Sequence, residues 1–312
     1  MTKPIMGTTA GATQLRLKFT GTGLGTNVDQ SVSTLVAANT RYVDTSALLT
    51  QANRRLYRQG RMYMVRVGFL KPGVEAGATV SVIPNTWMSR KAWVESRKAY
   101  LKAMRDSGVK KTGRWSDFRV NYDQAQYLGN GSLQYTFVGL SGSSSTDLER
   151  RTSQVAGDSG TSEGSTTSVY QFHVLGDTTF SNSDGATASF GIIDEYDMAE
   201  DVVVDDPADS GVTAPYSELN SDSAMANFNQ EVAIEVGDYP GYDSDQFDVG
   251  RTVEYQLKQQ ATDSIPPVTP WIAAPLGLLK ITGYGADALA ADTEMYIEVM
   301  AGNYKGVMSE PI

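Results

Sequence analysis

A chain of 312 residues that is 40% hydrophobic and 20% charged can bury a large core, which excludes wholesale disorder. It contains no cysteine and a single histidine, so disulfides, zinc–thiolate sites and chemistry built on several imidazoles are excluded. The net charge of -10 conceals an asymmetry: residues 1–120 carry 20 Lys and Arg against 6 Asp and Glu, and residues 121–312 carry 6 against 30. A partition of that size predicts two surfaces facing different partners.

The opening Met1-Thr2-Lys3-Pro4 starts no apolar run, so no signal peptide is expected. No stretch approaches the roughly 18 uninterrupted apolar residues of a membrane span, and no membrane partner is expected. Residues 1–13 are Gly/Thr-rich and are expected to form a flexible N-terminal segment ahead of one domain over 14–312.

Residues 14–19 alternate with period two, with Leu15, Leu17 and Phe19 on the buried face of a strand. Residues 44–59 read as a helix. Asp44, Thr45 or Ser46 is its cap, Leu48, Ala52 and Leu56 share a face, and Gly60 suits the position after its end. Residues 62–70 form a strong strand, closed by the turn Lys71-Pro72-Gly73, and 79–83 a shorter one stopped by Pro84-Asn85. Residues 89–107 give the clearest helix, with Ser89 as cap and Gly108 beyond its end. On it Arg90, Lys91, Arg97, Lys98, Lys102 and Arg105 fall within an arc of roughly 140°. Trp93, Tyr100 and Met104 form an adjoining seam that packs.

Beyond residue 115 the pattern is almost wholly β, with strands expected over 115–122, 132–140, 167–175, 188–193, 231–236, 252–257, 276–281 and 295–300. Residues 141–167, rich in Ser, Gly and Thr, and residues 194–250, opening with eight acids and no base over 194–209, are expected as exposed loops. Many strands and few helices predict an all-β, mainly antiparallel fold: a jelly-roll sandwich flanked by helices at 44–59 and 89–107. Strands do not alternate with helices after residue 108, which argues against a parallel α/β sheet.

No catalytic residues are assigned. His173 is the sole imidazole, it lies in an aromatic-rich strand, and no Gly-x-Ser-x-Gly elbow accompanies it, so it reads as a strand histidine satisfied by a neighbour. The glycine run Gly21-Thr22-Gly23-Leu24-Gly25 lacks the Lys and Ser/Thr of a phosphate loop. Cofactors are not expected beyond a candidate structural calcium at Asp243, Asp245 and Asp248, which offer hard oxygens in a loop without EF-hand spacing. The positive signal is basic: Arg54, Arg55 and Arg58, the arc on 89–107, and Lys110, Lys111 and Arg114 concentrate cations within some sixty residues. Phosphate backbones reward such clusters without regard to sequence, and Trp87, Trp93, Tyr100 and Trp115 lie near enough in sequence to stack on bases.

Several segments together resemble the coat proteins of small, environmentally sampled single-stranded DNA viruses. They are YVDTSALLTQANRRLYRQG at 42–60, PNTWMSRKAW at 84–93, RWSDFRV at 114–120, APLGLLKI at 274–281 and YIEVMAGNYKGV at 296–307, about a fifth of the chain. The resemblance implies a jelly-roll subunit that self-assembles into an icosahedral shell, located in the virion, around a small single-stranded DNA genome bound without sequence specificity. One departure stands out: many such proteins carry a long basic N-terminal arm, whereas residues 1–40 hold only Lys3, Arg16 and Lys18. The folded domain would then supply the inner positive surface. The alternatives are a secreted or surface β-sandwich binding glycan or protein through loops such as Tyr239-Pro-Gly-Tyr242, and a glycosidase using acids of the 194–248 region.

Overall fold

The computed structural model describes residues 13–20, 40–70, 76–108, 113, 115–128, 137, 152–157, 168–178, 189–200, 252–260, 265–284 and 294–312. Two antiparallel sheets face each other. The first runs β1 (Arg16–Thr20), β12 (Glu294–Val299), β3 (Arg61–Leu70) and β10 (Ile272–Ala274), with β15 (Ser309–Pro311) also on β3. The second runs β2 (Thr40–Asp44), β11 (Leu278–Tyr284), β4 (Ala76–Val82) and β9 (Val253–Gln259).

Setting the short β15 aside, eight strands remain, and the first of them in sequence pairs with the last, β1 with β12. The second pairs with the seventh, β2 with β11. The third and sixth, β3 and β10, and the fourth and fifth, β4 and β9, also pair. The chain changes sheet at every step except from β4 to β9. The expectation of a mainly antiparallel β fold holds.

Period-two patterning explains why these segments are strands. On β3, Tyr63, Val65 and Val67 point inward; on β12, Met295, Ile297 and Val299 do. From the opposing sheet Val43, Val80, Val82, Leu257, Leu279 and Ile281 meet them, and Leu48, Leu49 and Tyr57 close one side. Stacked inner faces of this kind make a sandwich core about 10 Å thick.

A second core lies on the outer face of the β2-β11-β4-β9 sheet. It is built by residues 83–252, inserted between β4 and β9. Here α2 (Trp87–Asp106) and α4 (Ile192–Glu200) pack beside a small sheet of β5 (Asn121–Asp123), β7 (Ser168–Leu175), β6 (Gln154–Gly157) and β8 (Ser189–Gly191), with α3 (Gln124–Leu128) following β5. Tyr42 and Leu278 of the large sheet join this core from below. Polar links fasten the insertion, among them Lys280 Nζ on β11, 2.8 Å from Asp123 Oδ2 on β5, and buried Gln59, which both donates to and accepts from the Val120 backbone at 3.0 and 2.7 Å.

Several expectations change here. The small sheet contains parallel pairs, β5 with β7 and β7 with β8. The first helix, α1, spans Thr45–Asn53, shorter than 44–59: Arg54 adopts the left-handed conformation (φ 52°) and stops it. Asp44 is its cap, accepting from Ala47 N at 3.0 Å. Gly60 is no helix terminator; a Cβ there would lie 2.1 Å from the Trp93 ring, so its role is to let that ring approach. α2 starts earlier than residue 89. Thr86 caps it, and Ser89 is the third helical residue, closing a reciprocal capping box.

Two further helices, α3 and α4, join the two expected ones. Within 115–122 only Asn121 onward is strand, and 188–193 is strand for Ser189–Gly191 before α4 begins. The segment read as a loop from 194 thus opens inside a helix, and that over 141–167 contains β6. Thr13, placed in the flexible segment, donates through Oγ1 to Lys305 O at 3.2 Å. Residues 1–12, most of 132–140, the strand expected at 231–236 and the glycine run at 21–25 lie outside the described residues.

Candidate nucleic-acid interface

The basic face of α2 follows from how the helix is buried. Met88, Ala92, Trp93 and Ser96 are buried at helical spacing against the second core. At 100° per residue the arc of Arg90, Lys91, Arg97, Lys98, Lys102 and Arg105 then falls on the opposite side, and all six are exposed. From Arg90 to Arg105 the row extends about 22 Å along the helix axis. Leu101, absent from the charge-based reading, sits inside this arc and is 42% exposed, an apolar rib among the cations.

Neighbouring side chains modulate the row. Lys98 Nζ lies 2.6 Å from Glu95 Oε1, one turn away on the helix. Arg90 donates to Asn85 Oδ1 at 2.8 Å, and the Arg97 guanidinium sits 5.7 Å from the Trp93 ring centroid. Such exposed contacts are each worth only a few tenths of a kcal/mol, about the scale of surface pairs, so the row keeps its capacity for an anionic ligand.

The segment 54–60 meets α2 where Gly60 lies under Trp93. It carries Arg54 and Arg58, both exposed, and half-buried Arg55. Arg58 is engaged: its Nη1 lies 3.2 Å from Asp117 Oδ1, and Asp117 Oδ2 in turn accepts from the Gln59 backbone at 2.9 Å. The structure therefore places Gly60, two positions after Arg58, against Trp93 of α2, while Arg58 itself turns to Asp117. Lys110, Lys111 and Arg114 lie outside the described residues.

The aromatic residues divide. Trp93 and Tyr100 belong to the second core, where Trp93–Phe118, Tyr100–Phe118, Phe118–Phe172 and Phe172–Phe190 ring centroids stand 5.9, 5.2, 5.2 and 5.2 Å apart. Buried Trp93 has no face to offer a base, which corrects its reading as a stacking residue, and half-buried Tyr100 is committed to the same ladder. Trp87 and Trp115 remain exposed, and Trp87 also meets Tyr196 edge-on.

His173 is fully buried, its Nδ1 2.9 Å from Leu175 O, and burial pushes its imidazole down to about 4. It is neutral at pH 7 and adds no positive charge. Second-half acids mix with first-third bases on the first sheet, where Glu298 is shared by Arg16 and Arg66. The separation of signs is therefore incomplete among the described residues. Asp243, Asp245 and Asp248 lie outside them, and no group of three His, Asp or Glu able to hold a metal occurs within them. No helix among them is long and apolar enough to cross a membrane. Compared with known proteins, the chain matches no family model, no curated protein and no solved structure.

Proposed function

We propose that this chain is a viral coat protein whose jelly-roll domain self-assembles into an icosahedral shell around a small nucleic-acid genome. The observation that carries the reading is the strand order. Eight strands paired first with last, second with seventh, third with sixth and fourth with fifth are a long hairpin rolled up across two sheets. That pairing order supports a jelly roll, whose two Greek keys would produce it. The resemblance in five separated segments and the exposed cationic row of α2 support the same reading.

In mechanism, the rigid sandwich positions α2 so that its row of cations meets phosphates. Binding is driven by counterion release and is indifferent to sequence. A folded basic helix supplies the cations. Single-stranded DNA is the proposed genome, with Trp87 and Trp115 available for base contact.

The test is direct. Purified protein is fractionated by size and imaged in negative stain. Closed particles tens of nanometres across, carrying nucleic acid, are expected. A stable monomer across concentration and salt overturns the shell and favours a β-sandwich binding module.

A further inference from the structure

We propose that Arg58 and Arg119, held around Asp117, form a phosphate-binding site apart from the cationic row of α2. Arg119 precedes β5 and lies outside that row. The backbone of a nucleic acid is the source of phosphate that the shell reading favours, and to that extent the site rests on that reading.

Asp117 is the fixed centre, with only 5% of its side chain exposed. Its Oδ2 accepts from Gln59 N at 2.9 Å and its Oδ1 from Arg58 Nη1 at 3.2 Å; the same Nη1 reaches Ser116 O at 3.3 Å. Both carboxylate oxygens are thus used, and they hold one edge of the exposed Arg58 guanidinium, whose Nε and Nη2 donate to no described residue. Phe118 and Val120 enter the second core, so Asp117 and Arg119, alternating with them, face the other way. The Arg119 backbone is clamped: its N donates to Ser153 Oγ and its O accepts from Ser153 N, both at 2.9 Å.

Arg119 is half-buried, yet no N–H of its guanidinium meets an acceptor among the described residues. Comparably covered arginines do find acceptors: Arg41 donates to Thr40 O, Arg61 to Ser309 Oγ and Arg66 to Glu298. Partial desolvation of a charged group without an acceptor costs free energy, which an anionic ligand would recover. Burial pulls the Arg119 pKa below the ordinary guanidinium value, the Asp117 carboxylate pushes it back up, and the Arg58 guanidinium lowers it again. A guanidinium stays charged through such shifts. One carboxylate between two cations therefore leaves an excess of positive charge at this point.

The donor set selects the ligand. Guanidinium forks present parallel N–H pairs that match oxyanions in two-point contact. A planar carboxylate would occupy one fork, whereas a tetrahedral phosphate directs oxygens toward both. Packing ties the site to the helix: Phe118, between Asp117 and Arg119, stacks on Trp93 at 5.9 Å, and the Arg97 guanidinium of α2 lies 5.7 Å from that same Trp93 ring.

The test uses the full chain as wild type, Arg119→Gln and Arg119→Lys, with pyrophosphate and a short labelled oligothymidine as probes. Arg119→Gln is expected to weaken oligothymidine binding by about threefold to tenfold and to flatten the slope of log K against log salt by about 0.7, the loss of one phosphate contact on a single strand. Arg119→Lys should keep the slope and still bind more weakly, because an ammonium has the charge without the fork. In wild type, phenylglyoxal modification mapped by mass spectrometry should slow several-fold at Arg58 and Arg119 with either probe, and not with sodium chloride of equal ionic strength. That measurement needs no variant and decides the matter if Arg119→Gln misfolds. Protection by oligothymidine alone supports the site with a nucleic-acid backbone as its ligand. Protection by pyrophosphate alone, with no oligothymidine binding, supports the site for a small phosphate and overturns the nucleic-acid reading. Arg119 equally reactive with and without both probes overturns the site; oligothymidine binding that persists then leaves the α2 row as the interface.

Discussion

Acidification should destabilise the protein through His173 before its carboxylates titrate. The imidazole is fully buried, its Nδ1 is bound to Leu175 O at 2.9 Å, and Nε2 meets no hydrogen-bonding partner. Desolvation therefore disfavours the charged form and sets the folded value near 4, against 6.5 in a free side chain. A base whose folded pKa is depressed binds fewer protons folded than unfolded, so stability rises with pH. The contribution is fully present above about 6.5 and is lost as pH falls toward 4. At about 1.4 kcal/mol per pKa unit, the cost grows to roughly 2 kcal/mol between pH 7 and pH 5, and to about 3 kcal/mol at lower pH. His173→Asn retains a donor toward Leu175 O and does not titrate. Urea unfolding of unassembled subunits at pH 7 and pH 5, followed by tryptophan emission, compares the two. Wild type should lose about 2 kcal/mol more than the variant over that interval. Parallel losses would show that the imidazole is hydrated, and the reasoning from burial would fail.

Three further outcomes follow from specific contacts. Gly60→Ala should destabilise by about 1–3 kcal/mol, because the new methyl must displace the Trp93 ring in a filled core; calorimetry measures it. Gln59→Ala leaves the Val120 N–H, the Val120 carbonyl and an Asp44 oxygen without their buried partner, at about 1–3 kcal/mol per unsatisfied group, read by denaturant midpoint. Reversing Arg97, Lys98 and Lys102 to Glu should leave melting unchanged and yield empty particles; on a labelled single strand, the salt dependence of log K should flatten from a slope of about -4 for six phosphate contacts, and unchanged encapsidation would reject the α2 assignment.

How much of this was legible in sequence depends on what each residue answers to. β1, β3, β9, β11 and β12 show in the sequence because one or both faces are apolar in a regular pattern, as in the inward Tyr63, Val65 and Val67. β2 was missed because both its faces are buried, Val43 in one core and Tyr42 in the other, and five residues leave no alternation to read. β10 is three residues long and follows Pro270. Boundaries failed where tertiary contacts override local signals: nothing in the sequence stops α1 at Arg54, and Gly60 looks like a helix end although it serves Trp93. The basic arc of α2 was readable because helical geometry alone sets which residues share a side. The pairing of Arg58 with Asp117, fifty-nine positions away, and the stacking of Arg66 on Trp271 were not, because neither is encoded locally.

The placement of the insertion explains how one chain carries two such different surfaces. β4 to β9 is the single step that stays within a sheet, and its flanking residues Val82 and Val253 are ladder partners. Residues 83–252 therefore leave and re-enter the sandwich at adjacent points, and loop-closure entropy rises only slowly with the length between them. Docking on the outer face of that sheet, through Tyr42, Leu278 and the Lys280–Asp123 pair, turns that side into a second core, while among the described residues no element packs on the opposite sheet's outer face. The cationic helix and the Trp271–Tyr296 face thus belong to opposite sides of the sandwich.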